Sequence, residues 1–486
     1  MRLGLLAGIA LLGLVCGVAQ VASAATPPRP DAWFENVKKN ATPEQLYQFL
    51  YALPKGGDLH DHLSGAARSE WMWDAVLAQE SRGYTYYTKV AIHNCVPYGS
   101  NEFGAAPYLL LFRNLVAANY NKLGECERSE YKRLQDLDAR EKAGWLDSLR
   151  LDQPYEGRNE FFGAHWQRLN DLYANPYWTA ETMVQNMEAF GKEGVVYIEF
   201  QSNLAGYQRP DTSVLSTDEA ADIFRARLAA PDAKATGVTV KFQVTVLRFV
   251  PVAEDLLRAA FEVADQYRDL YVGVNMVGRE DDDKGNPMRF LPVFRELRHK
   301  YPDINLSIHG GEVDEPNYHI RDTLLLGAQR IGHGVNLITD PQTMVQMRYG
   351  PYLVEINLIS NLVLEYVKDY SQHPFPEYLR IGIPVALSTD DRGMWDSNMT
   401  DEYFVAVKEF NLSWSEMVQL GRNSLSHAFV DEPTKQKLLA DYEKRVSAFA
   451  SKFQKSGWDS LKTVKPVSYT FLCKRYQLCL AHGDKP

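Results

Sequence analysis

The chain has 486 residues, 45% of them hydrophobic and 23% charged, which is ordinary globular composition with enough apolar material for a large core and excludes a disordered chain. Its formal net charge of -10 comes without a lysine or arginine block, which argues against a nucleic-acid backbone or an anionic membrane surface as partner. A small or neutral ligand fits better.

Residues Met1 to Ala24 carry one early Arg2, a short apolar stretch and an Ala22-Ser23-Ala24 exit, the pattern of a cleaved signal peptide over 1–24. The alternative is a membrane anchor, disfavoured because the apolar part is short and a Pro-rich ATPPRPD segment follows. Cys16 is preceded by Val15, a poor fit to lipid processing. The expectation is an exported protein, periplasmic or extracellular, without stable membrane association. Cleavage leaves Cys95, Cys126, Cys473 and Cys479, and in an oxidising compartment sequence neighbours suggest the pairs 95 with 126 and 473 with 479, with free thiols as the alternative. None has a CxxC spacing, so a structural zinc site is not expected.

An N-terminal extension over 25–56 contains EQLYQFLYAL, read as an amphipathic helix ending before Pro54, after which Gly56 and Gly57 release the chain into DLHDHL. Strand-length apolar runs then recur: VVYIEF from Val195, VKFQVTVLRF from Val240, LYVGVNMVG from Leu270, INLSIHG from Ile304, RIGHGVNL from Arg330, YLVEINLIS from Tyr352 and PVALSTD from Pro384. With the His60 segment they make eight. Helical periodicity fills most of the gaps, as in DEAADIFRARLAA, and the runs lose strict alternation as strands buried on both faces do. The pattern predicts an α/β fold, a (β/α)8 TIM barrel over 57–456, with a doubly wound open sheet as the competitor.

One stretch breaks the rhythm. Nearly a hundred residues separate His62 from FFGAHWQRL, and the part over 82–158 reads as a subdomain inserted after the first strand, two cysteines within it. Dimer contact, substrate coverage, a receptor surface and plain decoration of the barrel are all open for it. The aromatic residues Phe161, Phe162 and Trp166 are read as core or pocket wall. A helix over Glu432 to Ser456 and a surface extension over 457–486 close the chain.

Polar residues sit at the ends of the apolar runs, where a parallel barrel gathers its site. His60 and His62 are two apart, so on a strand both imidazoles reach one face while Asp61 points away. His309 precedes Gly310, Gly311 and Glu312, and a partly desolvated carboxyl at Glu312 would stay protonated and donate to a ring nitrogen. His333, between two glycines, is either a further metal ligand or the group that orients a water. Asp390 and Asp391 are consecutive and point apart, one suited to a metal and the other to substrate. Three histidines with one aspartate favour zinc over magnesium. The sequence has no GxGxxG, Walker loop, GxSxG or HExxH, which disfavours nucleotide-cofactor redox, phosphoryl transfer, serine hydrolysis and zincin proteolysis.

LHDHLSGA, GVNMVGRE, SIHGGE, RIGHG and LSTDD, in this order, resemble the adenosine deaminases of the metal-dependent amidohydrolase superfamily over about Gly57 to His427. The leader, the inserted segment and the cysteines resemble the secreted, growth-factor-related branch, and a periplasmic bacterial member fits equally. The resemblance implies one zinc ion on His60, His62, His309 and Asp390, with His333 holding and deprotonating the attacking water. It implies that Glu312 protonates purine N1, Asp391 bonds N7, and the Gly278 backbone meets N3. The reaction would take adenosine or 2'-deoxyadenosine to the inosine form plus ammonia, and a homodimer is implied. Ser64 stands where the intracellular enzymes carry a carboxylate for the ribose, so it can bond a hydroxyl without supplying charge. YIEFQSN from Tyr197 also departs from the family's basic-aromatic version. Free adenine or a modified purine nucleoside is therefore the alternative substrate. An exported signalling or binding protein working through the inserted lobe is the alternative of another class.

Overall fold

The computed structural model describes residues 31–96, 109–281, 283–313 and 315–480. The leader expected over 1–24 lies outside them. An eight-stranded parallel sheet forms the centre, its strands hydrogen-bonded in sequence order. These are β1 (Gly56–His62), β2 (Val195–Gln201), β3 (Thr239–Leu247), β4 (Tyr271–Val277), β5 (Asn305–Gly310), β6 (Arg330–His333), β7 (Leu353–Ile356) and β8 (Val385–Leu387). Each coincides with one of the apolar runs of the sequence. Both faces of most strands are buried, the inner against the barrel interior and the outer against helices, which is why alternation is lost.

The sheet closes through the site-bearing residues themselves. Beyond β8 the Asp390 N–H donates to the His60 carbonyl at 2.9 Å, and the His62 N–H donates to the Asp390 carbonyl at 3.0 Å. Closure and assembly of the candidate ligands are thus one event. The structure is an α/β TIM barrel with insertions.

Helices are started by local chemistry. Thr42 and Gln45 form a capping box for Pro43–Ala52, as do Ser216 and Glu219 for Thr217–Leu228 and Asn398 and Asp401 for Met399–Phe410. The helix Trp414–Ser426 lies against the barrel wall, its Ser424 hydroxyl accepting from the Gly57 N–H at 2.8 Å. The long helix Glu432–Ser456 packs outside it, where the Tyr442 hydroxyl donates to the Val418 carbonyl at 3.0 Å.

Between β1 and β2, three short strands, Tyr86–Lys89, Asn114–Val116 and Tyr131–Arg133, form a separate antiparallel sheet with the first in the centre. Cys95 and Cys126 form a disulfide within this segment, and Cys473 and Cys479 form another near the C-terminal end. None of the helices among the described residues is long and apolar enough to cross a membrane.

Candidate active site

Beneath the barrel mouth the interior is polar and paired. The Arg330 guanidinium, at the start of β6, donates to Glu199 of β2 at 2.6 Å, forms an ion pair with Glu355 of β7 at 2.7 Å, and stacks on the Phe429 ring at 3.7 Å. Buried charges persist only when paired in this way. Glu355 also accepts from Ser307 Oγ at 2.9 Å and from His60 Nδ1 at 2.8 Å. That bond orients the His60 ring and turns Nε2 upward, where it is buried without a hydrogen-bond partner.

Above this layer the strand-end residues converge. Asp390 Oδ1 lies 3.4 Å from His60 Nε2 and 3.2 Å from His62 Nε2, and His62 Nε2 lies 3.2 Å from His309 Nε2. Tetrahedral nitrogen and oxygen ligands about 2.0–2.1 Å from a central ion stand about 3.3–3.4 Å from one another. The observed separations fit a single divalent ion. Ligand atoms of His60, His309, His333 and Asp390 all fall within 4.8 Å of one another, and those of His62, Asp390 and Asp391 form a second group sharing Asp390. His309 Nδ1 is 3.0 Å from Asn275 Oδ1, so Nδ1–H donates and Nε2 keeps its lone pair.

The electrostatics of the cluster favour a cation. Burial alone would raise the Asp390 carboxyl, but the imidazoles of His60 and His62 beside it hold it well below the usual carboxylate range. Burial works against a charged His60, yet the neighbouring Asp390 carboxylate and the bond to Glu355 push it up to about 10. His309 and His62 are lowered, chiefly by burial, and are therefore neutral donors of a lone pair. The backbone of Asp390 has φ 58°, a left-handed conformation that aims two consecutive carboxylates in different directions.

Glu312, past β5, is 5% exposed and is raised well above the carboxylate range by burial and by the charges of Asp390 and Glu280. Its Oε1 lies 3.4 Å from the Tyr366 hydroxyl and 3.7 Å from His333 Nε2. Asp391 is raised well above the normal range as well, by burial first and then by Asp390, Asp61 and Glu312. Its Oδ1 is buried without a partner. Burial thus favours the protonated form of both side chains, the form that can donate to a ligand. Glu280 holds the loop by accepting from the Gly311 and Glu312 N–H groups at 3.1 and 2.9 Å.

A cavity of about 680 Å³ opens above the cluster, with His62, Ser64, Gly278, His309, Glu312, Asp390 and Asp391 in its wall. Gly278 has φ 90° and a Cβ there would stand 2.7 Å from the Phe249 ring, so the position demands glycine. Phe161, Phe162 and Trp166 line the cavity. So do Gln201, Ser202 and Asn203, the end of the YIEFQSN run. The inserted sheet contributes Arg113, whose guanidinium bonds Asn170 Oδ1 at 3.0 Å. His60 and His333 lie behind the wall, both fully buried.

The structure therefore brings together every residue singled out in the sequence. The residues that orient them, Glu355, Asn275 and the pair Asn357 and Asn361 beside His333 Nδ1, were not singled out. A signal existed for Glu355, a charge inside the apolar run YLVEINL, because a buried charge requires a partner.

The chain matches the family model described as adenosine deaminase over residues 163–445. An adenosine deaminase-like protein of Drosophila melanogaster is 27% identical over 248 residues, 50% of this chain and 69% of that protein. An adenine deaminase of Chelativorans sp. (strain BNC1) is 30% identical over 282 residues, 56% of this chain and 82% of that protein. Among solved structures, an amidohydrolase of Burkholderia ambifaria with bound Zn shares the fold at a TM-score of 0.61 and 16% identity, covering 86% of this chain and 96% of that one. The N6-methyl-AMP deaminase of Arabidopsis thaliana does so at 0.56 and 20% identity, covering 82% and 98%. With the family model spanning more than half of the sequence and a cluster of side chains fit to hold a divalent metal at the barrel mouth, this chain is an enzyme and belongs to the adenosine deaminase family.

Proposed function

We propose that the protein hydrolyses the exocyclic amine from C6 of a purine, releasing ammonia and leaving the 6-oxo base. The observation that carries this reading is the pair of buried carboxyl groups, Glu312 and Asp391, on the wall of the cavity that His62, His309 and Asp390 also line, in surroundings that favour their protonated forms. A purine ring offers lone pairs at N1 and N7, and two neutral carboxylic acids are suited to donate to both.

His60, His62, His309 and Asp390 would hold the ion, which we take to be zinc from the nitrogen-rich donor set and from the Zn of the related amidohydrolase. A zinc ion in such a site supplies acidification of a water to a pKa of about 7. Glu312 gives its proton to N1 as oxygen adds at C6, drawing electrons from the ring and leaving a tetrahedral carbon. Asp391 donates to N7 and fixes the ring, and the Gly278 N–H meets N3. His333, whose ring lies among the ligand side chains, would hold the attacking water and take its proton. Return of the water's first proton to the amine lets the C6–N bond break with loss of ammonia, while the proton of the added hydroxyl leaves to form the 6-oxo group and restores the acid spent at N1.

The substrate range is the finer question. A cavity of about 680 Å³ leaves room beyond a base for a sugar, with Ser64 in its wall to bond a hydroxyl, which supports adenosine or 2'-deoxyadenosine. The named relatives favour a second reading, a broader or different range that includes adenine or a purine nucleoside modified at the amine. Turnover of adenosine, 2'-deoxyadenosine, adenine and N6-methyladenosine by the zinc-loaded protein separates them. A nucleoside turned over fastest supports the first, adenine or the methylated compound turned over fastest supports the second, and inertness toward all four rejects the reaction.

The leader and the two cystines support export to the periplasm or the extracellular space, where disulfides persist. The separate antiparallel sheet with its own disulfide supports treating 82–158 as an inserted subdomain.

A further inference from the structure

Among the described residues of the cavity wall, three side chains hold a buried polar atom without a hydrogen-bond partner: Asp391, Tyr173 and Gln201. Gln201, the last residue of β2, differs from the other two in that both Nε2 and Oε1 are unmet, although the residue is only 3% exposed. An amide kept from water with neither end paired is costly, and in a cavity wall that cost points to a ligand that meets it. The neighbouring glutamine shows the contrast. Gln243 of β3, in register with Gln201, donates from Nε2 to the Leu59 carbonyl at 3.1 Å and to Glu199 at 2.9 Å, and its Oε1 accepts from Asn275 at 3.0 Å. Gln243 is fully used inside the protein, and Gln201 is not.

The sheet register pairs Gln201 with His62 of β1, and Ser64 follows in the turn beyond, so the amide belongs to the side of the cavity already given to a sugar hydroxyl. In the proposed reaction the purine has no edge to spare for it. N1 is met by Glu312, N7 by Asp391 and N3 by the Gly278 N–H, while C6 and its amine are the reacting centre. The amide is left for the group carried at N9. A primary amide presents a donor and an acceptor side by side, and two neighbouring cis hydroxyls are its complement, one donating to Oε1 and the other accepting from Nε2. A single hydroxyl would leave one end unmet. The last torsion of a glutamine is broad, so the amide turns toward such a ligand at small cost.

We propose that Gln201 binds the 2'- and 3'-hydroxyls of the substrate and makes the site selective for ribonucleosides over deoxyribonucleosides and free bases. The inference rests on the proposed purine reaction and narrows its substrate class. Selectivity arises because a compound without the diol leaves a buried donor and a buried acceptor unpaired, which costs more than the loss of a solvent-exposed hydrogen bond. Gln201 lies in YIEFQSN, the strand end that departs from the family's basic-aromatic version. A neutral amide there accepts as well as donates, whereas a basic side chain only donates.

The experiment uses two pairs of compounds that differ only in the diol and keep the 5'-hydroxyl. Binding of inosine and of 2',3'-dideoxyinosine to the zinc-loaded protein is measured by calorimetry, and kcat/KM is measured for adenosine and 2',3'-dideoxyadenosine. The wild type is expected to favour the diol-bearing member of each pair by about 10-fold or more, and the ratio should fall to about 2-fold or less in Gln201→Met, which keeps the length of the side chain without its hydrogen-bonding groups. Gln201→Ala should collapse the ratio as well, and decides the matter should the methionine variant fail to fold. A wild-type protein that binds both inosine compounds equally, or neither, overturns the proposal, as does a ratio retained in the variants. Calorimetry needs no turnover, so a protein that prefers inosine yet deaminates neither adenosine compound would reject the reaction and leave the diol subsite standing.

Discussion

Glu312 is the residue on which the chemistry turns, because it must enter the reaction carrying a proton. Burial and the nearby negative charges of Asp390 and Glu280 push its carboxyl well above the usual range and so favour the neutral form. Glu312→Gln preserves the shape and the neutral state but removes the transferable proton. The expected outcome is a fall in kcat of about 10²–10⁴-fold with thermal stability unchanged or slightly raised, measured by steady-state kinetics and a melting curve on the same sample. Full turnover in the variant would remove Glu312 from its role. At this scale the sequence was informative because ligands and acids sit at strand ends, where the barrel topology alone brings them together. The supporting residues were silent for a physical reason. Asn275 and Asn361 are uncharged and lie within apolar runs, so nothing in their local pattern distinguishes a residue that orients a histidine from one that fills space.

The site is held in shape at the element scale by close strand packing. Gly332 in β6 faces the His60 ring, and a Cβ there would stand 2.6 Å from His60 Cε1. Gly65, in the turn after β1, has the Asp391 carboxyl where its own Cβ would be. Gly332→Ala is therefore expected to push His60 away from Glu355 and Asp390. Metal content measured on the purified protein should fall well below one ion per chain, with the barrel still folded by circular dichroism. Retention of a full ion would mean that the His60 ring has more freedom than this packing allows. Seven of the eight barrel strands were legible as apolar runs because strands buried on both faces are nearly continuous in hydrophobicity, whereas β1, GGDLHDH, was legible by its histidine pair. The inserted sheet was legible only as a break in rhythm. Two of its strands, Asn114–Val116 and Tyr131–Arg133, have three residues each, too short for any periodicity to register.

At the scale of the whole molecule, buried carboxyls make stability depend on pH. Asp401 caps the helix Met399–Phe410 and is pushed up to about 8, mainly by burial, with the charge of Glu193 adding to it. Its unfolded value is about 3.9. Between these pH values the native state holds a proton that the unfolded chain has released, so this group's stabilisation is complete in acid and is lost as pH rises toward 8. Its slope reaches about 1.4 kcal/mol per pH unit. Asp401→Asn should flatten the fall of unfolding free energy between pH 5 and pH 8 by up to about that slope, measured by denaturant titration. An unchanged slope would show that Asp401 is ionised in the native state.

The account stands on a divalent ion serving a purine deaminase, and the most direct measurement follows the near-ultraviolet absorbance of adenosine and of N6-methyladenosine on adding protein. The protein is assayed as purified, after stripping with a chelator, and after restoring zinc. The account predicts conversion of at least one of these purines to the 6-oxo product, abolished by stripping and regained with zinc. Turnover that survives complete removal of the metal, or a zinc-loaded and folded protein that converts neither compound nor adenine, would contradict it.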